Sequence, residues 1–223
     1  MQTNVLEYLE NTVDRVPDKT AFADEESALS FIQVSEQAKS IGTELSRQGA
    51  YREPVVVYMK KCPQTIAAFF GVIYAGCYYV PIDEEMPRRR MQLILENTDA
   101  NYLIYDESTK DKIAALGFEG TALPYETCSK AKIREGALDI DPIYVLFTSG
   151  STGVPKGVVG YHRGVIDYIE SLSEVLGFNE RTVFGNQTPL YLDACMKEIY
   201  PTLKYGATTW LIYVPGQVGG VSE

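Results

Sequence analysis

The chain has 223 residues, of which 45% are hydrophobic and 22% are charged, and its formal net charge is −10. This length and apolar content suit one large domain or two small lobes and argue against extensive disorder. The acidic excess disfavours binding to nucleic acid or to an anionic membrane, so a bound phosphate group would need local contacts.

The cysteines, the lone histidine and the N-terminus give no sign of a metal site or a signal peptide. No two of the four cysteines have the CxxC spacing that is typical of zinc sites, and His162 is the one histidine. We therefore expect no zinc site, and reduced thiols in a cytoplasmic protein, at Cys62, Cys77, Cys128 and Cys195. The first residues lack the basic and apolar regions of a signal peptide.

The segment from Thr65 to Ile82 carries no charge and is about long enough to cross a membrane. It contains two glycines and a proline, however, and its second half is rich in tyrosine. We interpret it as a buried helix followed by a buried strand.

Apolar periodicity predicts alternating helices and strands. In chain order, helices are predicted over 4–15, 30–49, 62–75, 87–98, 108–117 and 163–177, and strands over 54–59, 78–81, 101–106, 143–149 and 157–162. Gly49 and Gly177 mark two of the helix ends. Residues 214–223 are glycine-rich and show neither pattern, so an irregular tail is expected there.

This alternation predicts an α/β fold with an open, mostly parallel sheet and helices on both of its faces. Ligands of such folds bind at the carboxyl ends of the strands. The sequence LFTSGSTGVPKGVV, residues 146–159, begins at such an end.

The polar part of this sequence has the chemistry of a phosphate-binding loop. Its glycines allow backbone N–H groups to turn inward, its threonine and serine hydroxyls add donors, and Lys156 adds a positive charge. The alternative is a hydrophilic linker. Pro155 stands where the Walker motif requires glycine, and Gly157 follows the lysine where it requires serine or threonine, which disfavours a GTPase or an ordinary P-loop ATPase.

The sequence FTSGSTGVPKGV resembles the phosphate-binding motif of the adenylate-forming superfamily, which includes acyl-CoA synthetases, luciferases and the adenylation domains of nonribosomal peptide synthetases. YAGCYYVPID, residues 74–83, resembles the AGxAYVPID segment of the amino-acid-activating branch, and YLDACMKEIYPTL, residues 191–203, resembles FDxSxxEI. The resemblance covers nearly the whole chain but only the front part of the large N-terminal domain of such an enzyme. It favours the peptide-synthetase or D-alanine–carrier protein ligase branch.

The resemblance implies roles for individual residues. Asp193 would bind the substrate's α-ammonium group, and Ala194 and Lys197 would line the side-chain pocket. Without the resemblance, Asp193 would be interpreted as a helix N-cap, and His162 as a structural hydrogen-bonding residue. The residues implied to bind the phosphates of ATP are Thr148, Ser149, Gly150, Ser151, Thr152, Gly153 and Lys156. The chain departs from the family at Leu192 and Cys195, where an aromatic residue and a serine are usual.

The implied activity is ATP-dependent amino-acid activation with Mg²⁺, followed by transfer to the phosphopantetheine thiol of a carrier protein. The family's adenine, metal and ribose segments and its bridging lysine are not found in residues 1–223. We therefore expect the N-terminal part of an adenylation domain without the C-terminal lobe, inactive alone, with no catalytic residue or metal ligand. A non-catalytic binding module that retains the fold and an acyl-CoA synthetase-type ligase are the alternatives.

Overall fold

The computed structural model describes residues 2–127, 141–148 and 154–214. Seven α-helices lie within these ranges: α1 Leu6–Arg15, α2 Phe31–Gln48, α3 Pro63–Tyr74, α4 Arg88–Thr98, α5 Ile113–Leu116, α6 His162–Leu176 and α7 Met196–Tyr205. Ten strands accompany them: β1 Thr20–Ala23, β2 Ala28–Ser30, β3 Pro54–Tyr58, β4 Tyr78–Ile82, β5 Tyr102–Tyr105, β6 Thr121–Pro124, β7 Pro142–Thr148, β8 Lys156–Tyr161, β9 Val183–Asn186 and β10 Thr208–Leu211.

The larger sheet has six strands in the order β6-β5-β3-β4-β7-β8, and all its neighbours are parallel except the β7–β8 pair. Every residue of β3 is buried, as expected of a central strand that is covered on both faces. Helices α2 and α3 cover one face, and α4 and α5 cover the other. The predicted α/β class with a mostly parallel sheet is confirmed.

A second sheet, which the sequence did not predict, has four strands in the order β2-β1-β10-β9. β1 pairs with β2 antiparallel and with β10 parallel, and β10 pairs with β9 parallel. Helix α7 lies against β9 and β10, while α1 contacts both α7 and α2. One apolar core therefore extends across both sheets.

Helix α2 illustrates how local signals set the element boundaries. Ser30 accepts a hydrogen bond from the N–H of Gln33, whose side chain accepts from the N–H of Ser30 in a capping box. Gly49 ends the helix at a φ of 97°. The apolar residues that recur at helical spacing along α2 are all buried: Phe31, Val34, Ala38, Ile41 and Leu45.

Other predictions hold in part. The uncharged segment at 65–82 forms α3 and β4, both buried, as predicted. The helix predicted over 108–117 is only a 3₁₀ turn at Lys110–Lys112 and one helical turn at α5. In α6, Val165 and Ile169 are buried, whereas Leu176, two turns beyond Ile169, is exposed. Within the ranges described above, none of the helices has the length and apolar character needed to span a bilayer.

The described cysteines are unreactive core residues. Cys62, Cys77 and Cys195 are buried free thiols, and burial raises the pKa of Cys77 to about 11. Cys128 lies outside the described residues, as do residues 215–223 of the tail predicted over 214–223.

Candidate functional site

An open cleft of about 580 Å³ lies between the β7–β8 hairpin, helix α6 and the start of helix α7. Asp193, Ala194 and Lys197 form the wall that α7 and its leading turn contribute. Tyr144 of β7 and Tyr168 of α6 contribute aromatic rings. The three residues that the resemblance assigned to substrate binding are thus brought together on one surface.

Asp193 begins a 3₁₀ turn, Asp193–Cys195, that runs directly into α7. The cap positions of the turn and of the helix are Leu192 and Cys195, and neither has a side-chain cap. The N-cap interpretation of Asp193 is therefore wrong. Its side chain is exposed to the cleft and has no hydrogen bond or ion pair with the described part of the chain, so the carboxylate is available to an external cation.

The side chain of Cys195 stabilises this turn through hydrogen bonds to the backbone. Its buried Sγ donates to the carbonyl of Leu192 at 2.9 Å and lies 3.7 Å from the carbonyl of Leu190. Burial raises the pKa of the Cys195 thiol, which keeps it in the protonated, donating form. The thiol therefore acts as a hydrogen-bond donor in the position where the family usually has serine.

Lys197 lies at the rim of the cleft rather than deep within it. Its side chain is 51% exposed, and its Nζ is 3.7 Å from Oε1 of Glu198. Glu198 is buried, its pKa is raised by burial, and Oε2 accepts from the side-chain amide of Asn186 at 3.2 Å. The ammonium of Lys197 is thus available at the cleft while it pairs with Glu198.

Tyr144 and Gly160 shape the wall opposite α7, and sequence reasoning missed both. A Cβ on Gly160 would lie 2.1 Å from Cζ of Tyr144, so the ring occupies the space directly above the glycine. Burial, followed by the nearby Asp193 charge, raises the pKa of Tyr144. The isolated glycine within a strand pattern was the available signal, because such glycines mark close approaches.

We expect Gly160→Ala to lower the free energy of unfolding by about 1–2 kcal/mol, because the new methyl group displaces the Tyr144 ring. Urea unfolding of Gly160→Ala in the wild-type and Tyr144→Ala backgrounds measures how far the stability cost of the new methyl group depends on the Tyr144 ring. In the Tyr144→Ala background the glycine substitution should cost almost nothing. An equal cost in both backgrounds would show that the ring is not the obstacle.

The described ends of the predicted phosphate-binding loop lie side by side. Thr148 ends β7, Lys156 begins β8, and the two residues pair directly, with Thr148 Oγ1 donating to the Lys156 carbonyl at 3.4 Å. Ser149, Gly150, Ser151, Thr152 and Gly153 lie outside the described residues. Because alternate residues of a strand share a face, Thr148 lies on the same face as Tyr144, about 13 Å along β7. Thr148, at the described start of the loop, thus lies on the face of β7 that also contributes Tyr144 to the cleft.

His162 lies at the start of α6 and is 1% exposed. Its Nδ1 accepts a hydrogen bond from the backbone N–H of Val5 at 3.2 Å. This contact ties α6 to the beginning of α1, which agrees with the structural role predicted for this histidine.

The chain is similar in sequence to known proteins. The model of the AMP-binding enzyme family matches residues 9–216. The chain is 30% identical over 207 residues to one of the mycosubtilin synthase proteins of Bacillus subtilis, covering 89% of this chain and 8% of that protein. It is also 30% identical over 225 residues to the D-alanine–D-alanyl carrier protein ligase of Bacillus cereus strain G9842, covering 93% of this chain and 42% of the ligase. The chain thus spans less than half the length of either relative.

Solved structures agree with these sequence matches. The nonribosomal peptide synthetase FmoA3 matches with a TM-score of 0.86 and 28% identity, covering 96% of this chain and 23% of that one. The N-terminal subdomain of Klebsiella oxytoca NpsA matches in fold, with a TM-score of 0.80 at 22% identity, covering 100% of this chain and 56% of that one. The motif, the fold and the family match agree, and the chain belongs to the AMP-binding enzyme family.

Proposed function

We propose that the chain is the N-terminal part of the adenylation domain of an ATP-dependent, amino-acid-activating ligase. The parent enzyme joins the carboxylate of an amino acid to the AMP portion of ATP and releases pyrophosphate. It then transfers the aminoacyl group to the phosphopantetheine thiol of a carrier protein. The observation that carries this proposal is the Asp193 carboxylate, which faces the cleft with no partner in the described part of the chain.

The cleft suits an amino acid better than a plain fatty acid. Asp193 pairs with the α-ammonium group, whereas a fatty acid would leave this carboxylate unpaired in a partly apolar site. Ala194 leaves room for the substrate side chain, and Lys197 at the rim attracts polar or acidic groups. Tyr144 and Tyr168, which also line the cleft, are aromatic residues whose rings attract a cation.

The phosphates of ATP bind beside the cleft, at the end of β7. Thr148 and the hydroxyls and backbone N–H groups of residues 149–153 donate to phosphate oxygens, and Lys156 supplies the positive charge. The orientation of the β7–β8 hairpin supports this arrangement, because it brings Thr148 and Lys156 together on one edge. Mg²⁺ accompanies the nucleotide, and we assign it no ligand in this chain.

The carrier-protein partner is inferred from the relatives. One relative is named a D-alanyl carrier protein ligase, and FmoA3 is named a nonribosomal peptide synthetase. Since the chain spans 42% of the ligase, transfer to the carrier belongs to the parent enzyme rather than to residues 1–223.

The test is amino-acid-dependent exchange of pyrophosphate with ATP, measured on the protein in its longest natural form. We expect exchange with an amino acid and none with fatty acids, and we expect Lys156→Ala to lower it at least roughly tenfold through loss of a charge-assisted phosphate contact. Lys110→Ala is the control, because Lys110 is exposed and its ion pair in the described part of the chain is with exposed Glu107. Exchange with fatty acids would favour an acyl-CoA synthetase-type ligase, and no exchange with any acid would favour a non-catalytic module.

A further inference from the structure

Lys61, in the turn between β3 and α3, makes an unusually complete set of hydrogen bonds. Its Nζ donates to the backbone carbonyls of Asn186 at 2.9 Å, Thr188 at 3.0 Å and Ile212 at 3.1 Å. An ammonium group has three protons, so each has its own acceptor. The ammonium groups of lysine side chains more often extend into solvent.

The three carbonyls belong to the second sheet and its flanking turns, while Lys61 belongs to the first. Asn186 ends β9 and Ile212 follows β10, and the two are joined by a further bond from the Ile212 N–H to the Asn186 carbonyl at 2.9 Å. Lys61 follows β3, the central strand of the six-stranded sheet. The ammonium therefore joins the carboxyl edges of the two sheets.

Two of the three carbonyls, those of Asn186 and Thr188, belong to the segment that leads to Asp193. Residues 186–192 run from the end of β9 to the 3₁₀ turn, and this segment is fixed at its far end by the contacts of Cys195. In between, the Leu192 N–H donates to the Pro189 carbonyl at 3.1 Å. At its near end, Lys61 supplies two hydrogen bonds to the segment.

We propose that Lys61 is a positioning residue, whose ammonium group fixes residues 186–192 and thereby the place of the Asp193 carboxylate in the cleft. The claim that Lys61 fixes residues 186–192 depends only on the hydrogen bonds described above. Its consequence for amino-acid binding rests on the proposed function.

The charge state of Lys61 gives this role a pH dependence. Burial lowers the pKa of Lys61 to about 8, and the neighbouring acidic groups, Cys195, Asp83 and Glu198, act in the opposite direction. Burial raises the pKa of each of these three groups. When Lys61 loses its proton, the amine has two N–H donors for three carbonyls, so one contact is lost.

Amide hydrogen exchange tests the proposal on the 223-residue chain. In Lys61→Met we expect protection factors to fall at least roughly tenfold at the amides of Leu192, Cys195 and Ile212, because three carbonyls lose their donor. The β3–β4 ladder should keep its protection. Lys60→Met is the matched control, since its side chain pairs with the exposed Glu26. Unchanged protection of these amides in Lys61→Met would overturn the proposal.

A pH series on the folded wild type gives an independent result even if Lys61→Met does not fold. Corrected for intrinsic exchange rates, protection at the same amides should fall as the pH rises through about 8. In Lys61→Arg the side chain stays charged, so the same amides should keep their protection over that range. The neighbouring acidic groups are unchanged in this variant, so a difference from the wild type is due to residue 61. Identical pH profiles for the wild type and Lys61→Arg would overturn the proposal. These measurements need no amino acid, so failure of the proposed function would appear separately, as amino-acid binding that does not depend on Asp193.

Discussion

Gly71→Ala is expected to lower the free energy of unfolding by about 3 kcal/mol. Gly71 lies in α3 where that helix crosses α2. A Cβ at this position would lie 2.5 Å from Cβ of Ile41 and 3.0 Å from the carbonyl oxygen of Ala38. These atoms belong to or adjoin the backbone of α2, so the helices must separate to admit the methyl group.

Gly164→Ala is the matched control, because it also introduces alanine into a helix. Gly164 lies in α6, and a Cβ there would meet no atom within 4 Å. Its replacement should raise the free energy of unfolding by about 0.5–1 kcal/mol through helix propensity alone. Urea denaturation of the two variants measures both changes. A stability gain in Gly71→Ala would contradict the close packing of α2 on α3.

Elements with strong local signals were predictable from sequence. Helix α2 has a capping residue at Ser30, a regular apolar stripe and a terminal Gly49, so its boundaries follow from local chemistry. β3 and β4 are continuous apolar runs, and the helix between them is apolar from Ile66 to its end. Their order then defines a parallel sheet with little further information.

The second sheet could not be predicted in this way. Its strands are three or four residues long, too short to show an alternating pattern. β1 and β10 pair although they lie at opposite ends of the described chain, as in the register of Phe22 with Thr209. Such pairing depends on how the rest of the chain has already packed.

The candidate site also contains residues that the sequence identified and residues that it could not identify. Resemblance to a family located Asp193, Ala194 and Lys197, which the structure brings to one cleft. It could not locate Lys61, whose partners are backbone carbonyls. Every residue has a backbone carbonyl, so the sequence does not indicate which ones accept hydrogen bonds from a lysine.

Asp193→Asn is expected to abolish the preference for an ammonium group in the cleft. Removing one partner of a charge pair costs at least about 2 kcal/mol, which corresponds to roughly 30-fold in affinity. Asparagine keeps the size of the side chain and removes its charge, so the shape of the cleft should be preserved. Asp167→Asn serves as control, since Asp167 is exposed on α6 and pairs there with Arg163.

The most direct test of the account compares an amino acid with its deaminated acid on the protein in its longest natural form. D-alanine and the protein amino acids are screened by calorimetry, and the tightest-binding one is then compared with the acid that lacks its amino group. In the wild type and in Asp167→Asn we expect the amino acid to bind about 30-fold more tightly, and in Asp193→Asn we expect equal affinities. An unchanged preference for the amino acid in Asp193→Asn would contradict the assignment of Asp193 as the ammonium-binding residue.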